Sequence, residues 1–315
     1  MEMTDMGKVE TAATATDVAV NPSMLVDMGQ PEKVPTAYGP ITVSVSGNRQ
    51  KTGLVTVHDI ALSPASCFQG LVMCAGPESA LLQNFCMYHI TLPGHEENST
   101  GLPPEMPPVT ADKIMDMVHS VVQHFGLKEV LGMGVGFGAH VLFKYAVRYK
   151  KEMPALIMIS PYCDRAGWQE WANLKAAALQ IRFGSVSGWV VETLVARLIH
   201  HGMMHQNTDL TKAFRTEISA KNPSVLMHYL WAAKDRESLL PIADGVCTNT
   251  RMLVITGDRS PFYQESLELN THIASRSSFV EVPGCGTLLT EENPHALISP
   301  IDLFVQRLQQ KGLGL

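Results

Sequence analysis

Residues 132–138, Gly-Met-Gly-Val-Gly-Phe-Gly, follow a short apolar run and precede a segment of helical pattern. Many hydrolases place G-x-S-x-G at such a junction, a sharp strand-to-helix turn that presents a nucleophilic serine. Gly134 and Gly138 take the two flanking glycine positions, and Gly136 stands where the serine would be. The chemistry of that motif is acyl transfer, with nucleophile, acid and base in that chain order. The acid position, three residues past the glycine that closes "RMLVITG", is Ser260, while Asp258 is a carboxylate two residues early. The base position, in "PGCGTLL", is Thr287. All three positions lack the required side chain. Glycine cannot form an acyl intermediate, but it tolerates a strained elbow better than any other residue. Binding effects and an oxyanion hole alone give only about 10³–10⁴ over water. One oxyanion donor would be the N–H of Phe137, and the other would come from the loop after residue 57. That loop holds His58-Asp59, and a carboxylate there would oppose a growing negative charge.

Other groupings are weaker. Cys163 and Cys285 sit near strand ends, but a thiol nucleophile needs a base and a lowered pKa, and Thr287 is not a base. His200, His201 and His205 suggest a metal, yet adjacent helical residues diverge by about 100° and no carboxylate lies close in sequence. Asp258 and His295 form a displaced acid–base pair only if the fold brings them together, since His295 is eight residues past the base position. "GMGVGFG" has the glycines of a dinucleotide loop but lacks the acid that should end a second strand about 20 residues on. The expectation is no catalytic residue, no metal and no cofactor, with His58, Asp59, Gly136, Phe137 and Asp258 as candidates to line a ligand pocket.

The elements that must position these residues alternate. "ITVSVSG" (41–47), "GLVTVHDI" (53–60) and "NFCMYHITLPG" (84–94) read as strands. Residues 110–125 read as a helix: Ile114, Met117, Val118, Val121, Val122 and Phe125 make one stripe, and Thr110 is its N-cap. A strand over 129–134, a helix from Phe137 to Tyr149 and a strand over 155–160 follow. Alternation implies a parallel sheet covered on both faces. It lapses between 163 and 246, where four segments are helical in pattern, and resumes with "RMLVITGD", a helix, "SSFVEVPG" and a last helix over 294–310. The expected architecture is an α/β-hydrolase fold: a mainly parallel sheet as core (37–162 and 247–311), an all-helical cap insertion (163–246), and a mobile N-terminal arm (1–36).

The strings "FCMYHITLPGHE" (85–96), "QHFGLKEVLGMGVGFGAHVL" (123–142), "GWQEW" (167–171), "GDRSPF" (257–262) and "CGTLLTEENPHAL" (285–297) resemble the N-myc downstream-regulated (NDRG) family, closest to its plant N-myc downregulated-like branch. The resemblance runs from about Tyr38 to Leu308. It implies an α/β-hydrolase fold without hydrolase activity, in a signalling role linked to growth, differentiation and stress. For the plant branch it implies interaction with the βγ dimer of heterotrimeric G proteins, and a link to auxin transport. Family members often end in a Ser/Arg-rich, phosphorylated tail; here the sequence stops at Leu315.

Totals limit the remaining classes. The 315 residues are 45% apolar, enough for one large domain with an insertion. The formal charge of -6, without a Lys/Arg block, offers no electrostatic case for nucleic acid or an anionic membrane. No uninterrupted apolar run reaches the roughly 18 residues of a membrane span, and the polar "MEMTDMGKVE" is neither a signal nor a transit peptide. The six cysteines, Cys67, Cys74, Cys86, Cys163, Cys247 and Cys285, are scattered, as expected for reduced thiols of a cytoplasmic protein. Protein partners are the first expectation and a small-molecule ligand the second. A weak hydrolase with an unconventional site is the third.

Overall fold

The structure, a computed structural model, describes residues 28–246 and 250–310. In chain order the elements run β1 (Gln30–Val34), β2 (Ile41–Ser46), β3 (Thr52–Val57), α1 (Pro64–Ala75), α2 (Ala80–Asn84), β4 (Phe85–Thr91), α3 (Ala111–His124), β5 (Val130–Val135), α4 (Phe137–Arg148) and β6 (Ala155–Ile159). Then come α5 (Trp168–Phe183), α6 (Gly188–Leu198), α7 (His201–Gln206), α8 (Thr208–Ala220), α9 (Pro223–Lys234) and α10 (Ala243–Val246). The chain closes with β7 (Arg251–Gly257), α11 (Tyr263–His272), β8 (Ser277–Val282), α12 (Leu289–Glu292) and α13 (His295–Gln310).

The strands form one sheet in the order β1-β2-β4-β3-β5-β6-β7-β8. β1 pairs antiparallel with β2, and β2 with β4; every later pair is parallel. β4, β5 and β6 are buried along their whole length, which is why they read as nearly continuous apolar runs rather than alternating ones. Thr110 caps α3 as expected, its side chain accepting the N–H of Lys113 at 3.3 Å.

Two expectations need correction. Residues 30–34 belong to the sheet and not to an arm: Gln30–Val34 pairs residue by residue with Val45–Ile41. Only Val34 of β1 is buried. An edge strand held by backbone bonds needs no apolar alternation, and "QPEKV" has none. Residues 1–27 of the expected arm lie outside the described residues, as do 247–249. The stretch between β3 and β4, whose sequence pattern marks no element, forms α1 and α2. α1 is short and set by a capping box at Ser63 and Ser66 with Pro64 in its first turn. Only Pro64, Cys67, Phe68 and Leu71 of it are buried.

Between β6 and β7 the chain is helical, with α5 packed on α9 and α6 on α8. The stripe Val190, Val191, Leu194, Val195 and Leu198 is the buried face of α6. At its C-terminal end the carbonyl of Leu198 accepts two N–H groups of the core, from Thr287 (3.0 Å) and Leu288 (2.9 Å). Tyr229 of α9 donates to the carbonyl of Pro93 at 3.0 Å. None of the described helices is long and apolar enough to cross a membrane.

β5 lies between β3 and β6, with Gly134 opposite both Val57 and Met158. The turns that leave β3, β5, β6 and β7 therefore converge at one edge of the sheet, the C-terminal edge where open α/β sheets carry their sites. Close approach there sets Gly138: a Cβ on it would lie 2.1 Å from the carbonyl oxygen of Val57. Gly138→Ala should lower unfolding stability by about 1–3 kcal/mol, because the obstructing atom is backbone. Urea unfolding showing no loss would mean that α4 does not seat against β3 in this way.

Candidate functional site

Gly136 is the turn between β5 and α4, with φ 53° and ψ -115°. Its N–H donates to Ile159 (3.0 Å), and its carbonyl accepts from His140 (3.1 Å). The backbone at Gly136 is thus the strained elbow expected from the glycines. Above it stands Asp59. A Cβ on Gly136 would lie 2.4 Å from Asp59 Cγ, so the carboxylate fills the space a nucleophile's side chain would use.

The Asp59 carboxylate is held by three donors. Oδ1 accepts the N–H groups of Ile60 (2.8 Å) and Phe137 (2.9 Å). Oδ2 accepts the hydroxyl of Tyr162 (2.7 Å). Phe137 N–H follows the nucleophile position, and Ile60 N–H lies in the loop after β3. These are the two places from which this class of site draws its oxyanion donors. The hole is formed, and its own chain supplies the anion. The sequence suggested that Asp59 would oppose a developing charge; the side chain goes further and occupies that charge's seat.

Burial pushes the Asp59 carboxyl up from its ordinary value, against the pull of Phe137, Tyr162, Arg197 and Ile60. Tyr162 is driven well above the usual phenol range, first by burial and then by Asp59. His58 is also fully buried. Its Nε2 accepts the N–H of Leu92 (2.9 Å), which leaves Nδ1 to donate to the carbonyl of Asp59 (2.7 Å). It is a neutral staple between β3 and β4, its pKa lowered to about 3 by burial.

Ser260 and Thr287 are brought together as an acid and base would be. Their hydroxyls lie 2.9 Å apart, both buried, so two neutral groups stand where proton transfer would run. Asp258 does not join them; its Oδ1 accepts the N–H of Gly284 (2.7 Å). His295 lies 3.5 Å from Cys74 Sγ, so Asp258 and His295 are engaged elsewhere and form no pair. Cys163 and Cys285 are buried, and burial raises both thiols, Cys285 to about 11. Neither is a ready thiolate. His201 and His205 stack at 5.3 Å between ring centroids, and no group of three His, Cys, Asp or Glu side chains among the described residues is placed to hold a metal.

Two residues escaped the sequence reading. Tyr162 follows β6 in "SPYCD", and its position at a strand end was the available signal. Arg197 of α6 sits over it, with its guanidinium 5.1 Å from the Tyr162 ring centroid and 5.0 Å from that of Phe262. Arg197 Nη1 donates to Glu170 Oε1 (2.7 Å), and Arg236 grips both oxygens of the same carboxylate (2.8 and 2.9 Å). Outside this network, between α5, α6 and the start of α11, lies a hollow of about 840 Å³. It is walled by Trp168, Glu170, Arg197, Arg236, Phe262 and Glu265 among others, and none of His58, Asp59, Gly136, Phe137 or Asp258 reaches it.

Sheet order, elbow and cap insertion define an α/β-hydrolase fold. Solved structures agree. The chain is similar to a thermophilic esterase from Thermogutta terrifontis (TM-score 0.74, 18% identity, covering 89% of this chain and 99% of that one). It is similar too to a hydrolase from Pseudomonas aeruginosa PA01 (TM-score 0.72, 16% identity, 88% and 98%). At such identities the likeness shows the fold alone. Within that fold the chain belongs to the Ndr family, whose model matches residues 31–315. It is 33% identical over 293 residues to Protein NDL3 of Arabidopsis thaliana (91% of this chain, 82% of the relative). To Protein NDRG2 of Rattus norvegicus it is 27% identical over 305 residues (95% and 80%).

Because Asp59 and Gly136 share one space, their substitutions should couple. Gly136→Ser should cost roughly 2–5 kcal/mol, from the strained φ together with the collision. Asp59→Gly in the same chain should recover about 1–2 kcal/mol relative to the sum of the single changes. Additive unfolding free energies in the four-member cycle would refute the shared space.

The buried titratable groups also set a pH optimum. Burial raises Glu291 to about 8 and both Glu265 and Glu292 to about 7. Groups whose folded pKa is raised favour the folded state below their unfolded value, and lose that contribution as pH climbs through the folded value. Stability should therefore increase as pH falls from 8. Burial lowers His58 to about 3 and His89 and His140 to about 4. Their contribution is full above the unfolded histidine value and fades as pH falls below it. The two trends cross near pH ~6, taking an unfolded His at about 6.5. A melting temperature that climbs steadily from pH 6 to 8 would contradict this balance.

Proposed function

We propose that this protein is a non-catalytic α/β-hydrolase-fold protein that works by binding, as a signalling adaptor in growth, differentiation or stress responses. The observation that supports this most directly is the Asp59 carboxylate seated on the N–H groups of Ile60 and Phe137, above an elbow without a side chain. A substrate carbonyl has nowhere to place its oxygen and nothing to attack it. Mutating one oxyanion donor in a working hydrolase costs about 2.7–4 kcal/mol of activation free energy; here both donors are engaged. In this reading the cap and its surroundings are the contact surface, the setting is the cytoplasm, and the partner suggested by the family resemblance is the G-protein βγ dimer. A second reading, a small-molecule sensor, is favoured by the hollow of about 840 Å³ beside the cap, a size within the range of ligand sites.

The purified chain should hydrolyse p-nitrophenyl and methylumbelliferyl esters no faster than a protein-free control, while immobilised chain should retain a βγ dimer from plant extract. Saturable ester turnover that disappears on substituting Cys163, Cys285 or Asp258 would overturn the non-catalytic reading. Failure to retain βγ, with small molecules instead co-purifying by mass spectrometry, would shift the conclusion to the sensor.

A further inference from the structure

The exposed aromatic side chains are not scattered. Among the described residues the large hydrophobic side chains more than about a third exposed include four aromatics, Trp168, Trp171, Phe183 and Trp189, and all four lie in α5 or at the start of α6. Two of them flank the turn joining these helices. Phe183 is the last residue of α5 and 82% exposed; Trp189 is the second residue of α6 and 48% exposed. Between them runs Gly-Ser-Val-Ser-Gly, a polar, small-residue tip. Isolated apolar side chains on a surface need no explanation, but an exposed Phe and an exposed Trp at the two ends of one short turn, five residues between them, call for one.

Charge sorts with them. The chain carries 30 acidic and 24 basic residues, yet Asp and Glu are absent from residue 171 to residue 191, between Glu170 and Glu192. The same stretch holds Lys175 and Arg182. Arg182 is exposed and lies with its guanidinium 5.9 Å from the Phe183 ring centroid. An exposed aromatic at each end of the turn with a cation beside one of them fits a membrane interface, where rings sit at headgroup level and cations meet phosphates; the first acid beyond the turn, Glu192, is paired with Arg215 (2.6 Å). A protein partner's anchors are typically ringed by a rim that excludes water; the five residues between Phe183 and Trp189 are two Gly, two Ser and one Val, too small to build such a rim, which favours lipid over protein. The whole-chain charge of -6, which argued against an anionic membrane, averages away this local asymmetry.

We infer that the α5–α6 turn is a lipid-docking element, with Phe183 and Trp189 entering the headgroup region of a bilayer and Arg182 pairing with lipid phosphate. Such contact is weak and reversible, a means of concentrating an adaptor at a membrane surface without anchoring it.

The test is co-sedimentation of the full chain with phosphatidylcholine vesicles carrying a minority of phosphatidylserine. Phe183→Ser and Trp189→Ser should each lower the partition coefficient about tenfold. Arg182→Glu should lower it several-fold, and only at low salt. All three variants should melt with the parent, because the side chains are exposed. No measurable partitioning of the parent, or a Phe183→Ser/Trp189→Ser double variant that sediments like it, would overturn the inference. If instead the double variant lost a protein captured from membrane-free extract while the parent ignored vesicles, the turn would be a protein interface and the lipid assignment would fall.

Discussion

A carboxylate removed from water must be compensated or neutralised, and Asp59 is where this fold meets that requirement. Its two oxygens receive two backbone N–H groups and one phenol. Those donors would themselves be buried and unmet without it, and an unmet buried donor costs about 1–3 kcal/mol. A formed oxyanion hole is an unsatisfied site between turnovers unless water enters. In this structure Asp59 fills it, and that contact dictates its surroundings. Gly136 can bear no side chain, Tyr162 must point inward from the end of β6, and the loop after β3 must turn back over the elbow.

The cap is organised around the same point. Tyr162 lies beneath Arg197 of α6, which shares Glu170 of α5 with Arg236 from the segment after α9. Three parts of the cap are thus drawn onto one core phenol. Buried ion pairs contribute little net stability, since desolvation offsets most of the attraction. Arrangements of this kind restrict geometry: Arg236 sets Nη1 and Nη2 on the two oxygens of Glu170, while Arg197 reaches that carboxylate through Nη1 alone and keeps Nε and Nη2 buried without a hydrogen-bond partner among the described residues. Glu292 does similar work nearby, accepting the N–H groups of Gly286 in the core and His200 in the cap.

How much of this was legible in the sequence depended on the range of the interaction. Counting from strand ends picks out Gly136, Ser260 and Thr287, and the structure places Gly136 at the turn between β5 and α4 and the hydroxyls of Ser260 and Thr287 within 2.9 Å of each other. Of the cap helices, α6 and α8 could be found from an apolar stripe, whereas α5 and α9 show little such periodicity and stand out by composition and length. The side-chain direction of Asp59 could not, since it follows from Phe137 and Tyr162, 78 and 103 residues away. Tyr162 and Arg197 meet across the core–cap boundary, and no local pattern couples them. β1 was missed for another reason: its register with β2 is set by backbone pairing at the sheet edge, and of its side chains only Val34 is buried, so no apolar alternation marks it.

The carbonyl of Leu198, which accepts from both Thr287 and Leu288, bears on motion. In many enzymes loops or lids move on a microsecond-to-millisecond scale, and lid opening or product release limits turnover. Here the C-terminal end of α6 is fastened to the very loop that would carry the catalytic base, beside a closed hydroxyl pair. Lifting α6 would strip two backbone bonds and expose the Ser260–Thr287 contact together, so it resembles local unfolding more than gating. The amides of Thr287 and Leu288 should then exchange with deuterium at one common rate, slower than a gating loop but faster than the central strands, and that rate would measure how often the cap comes off as a unit.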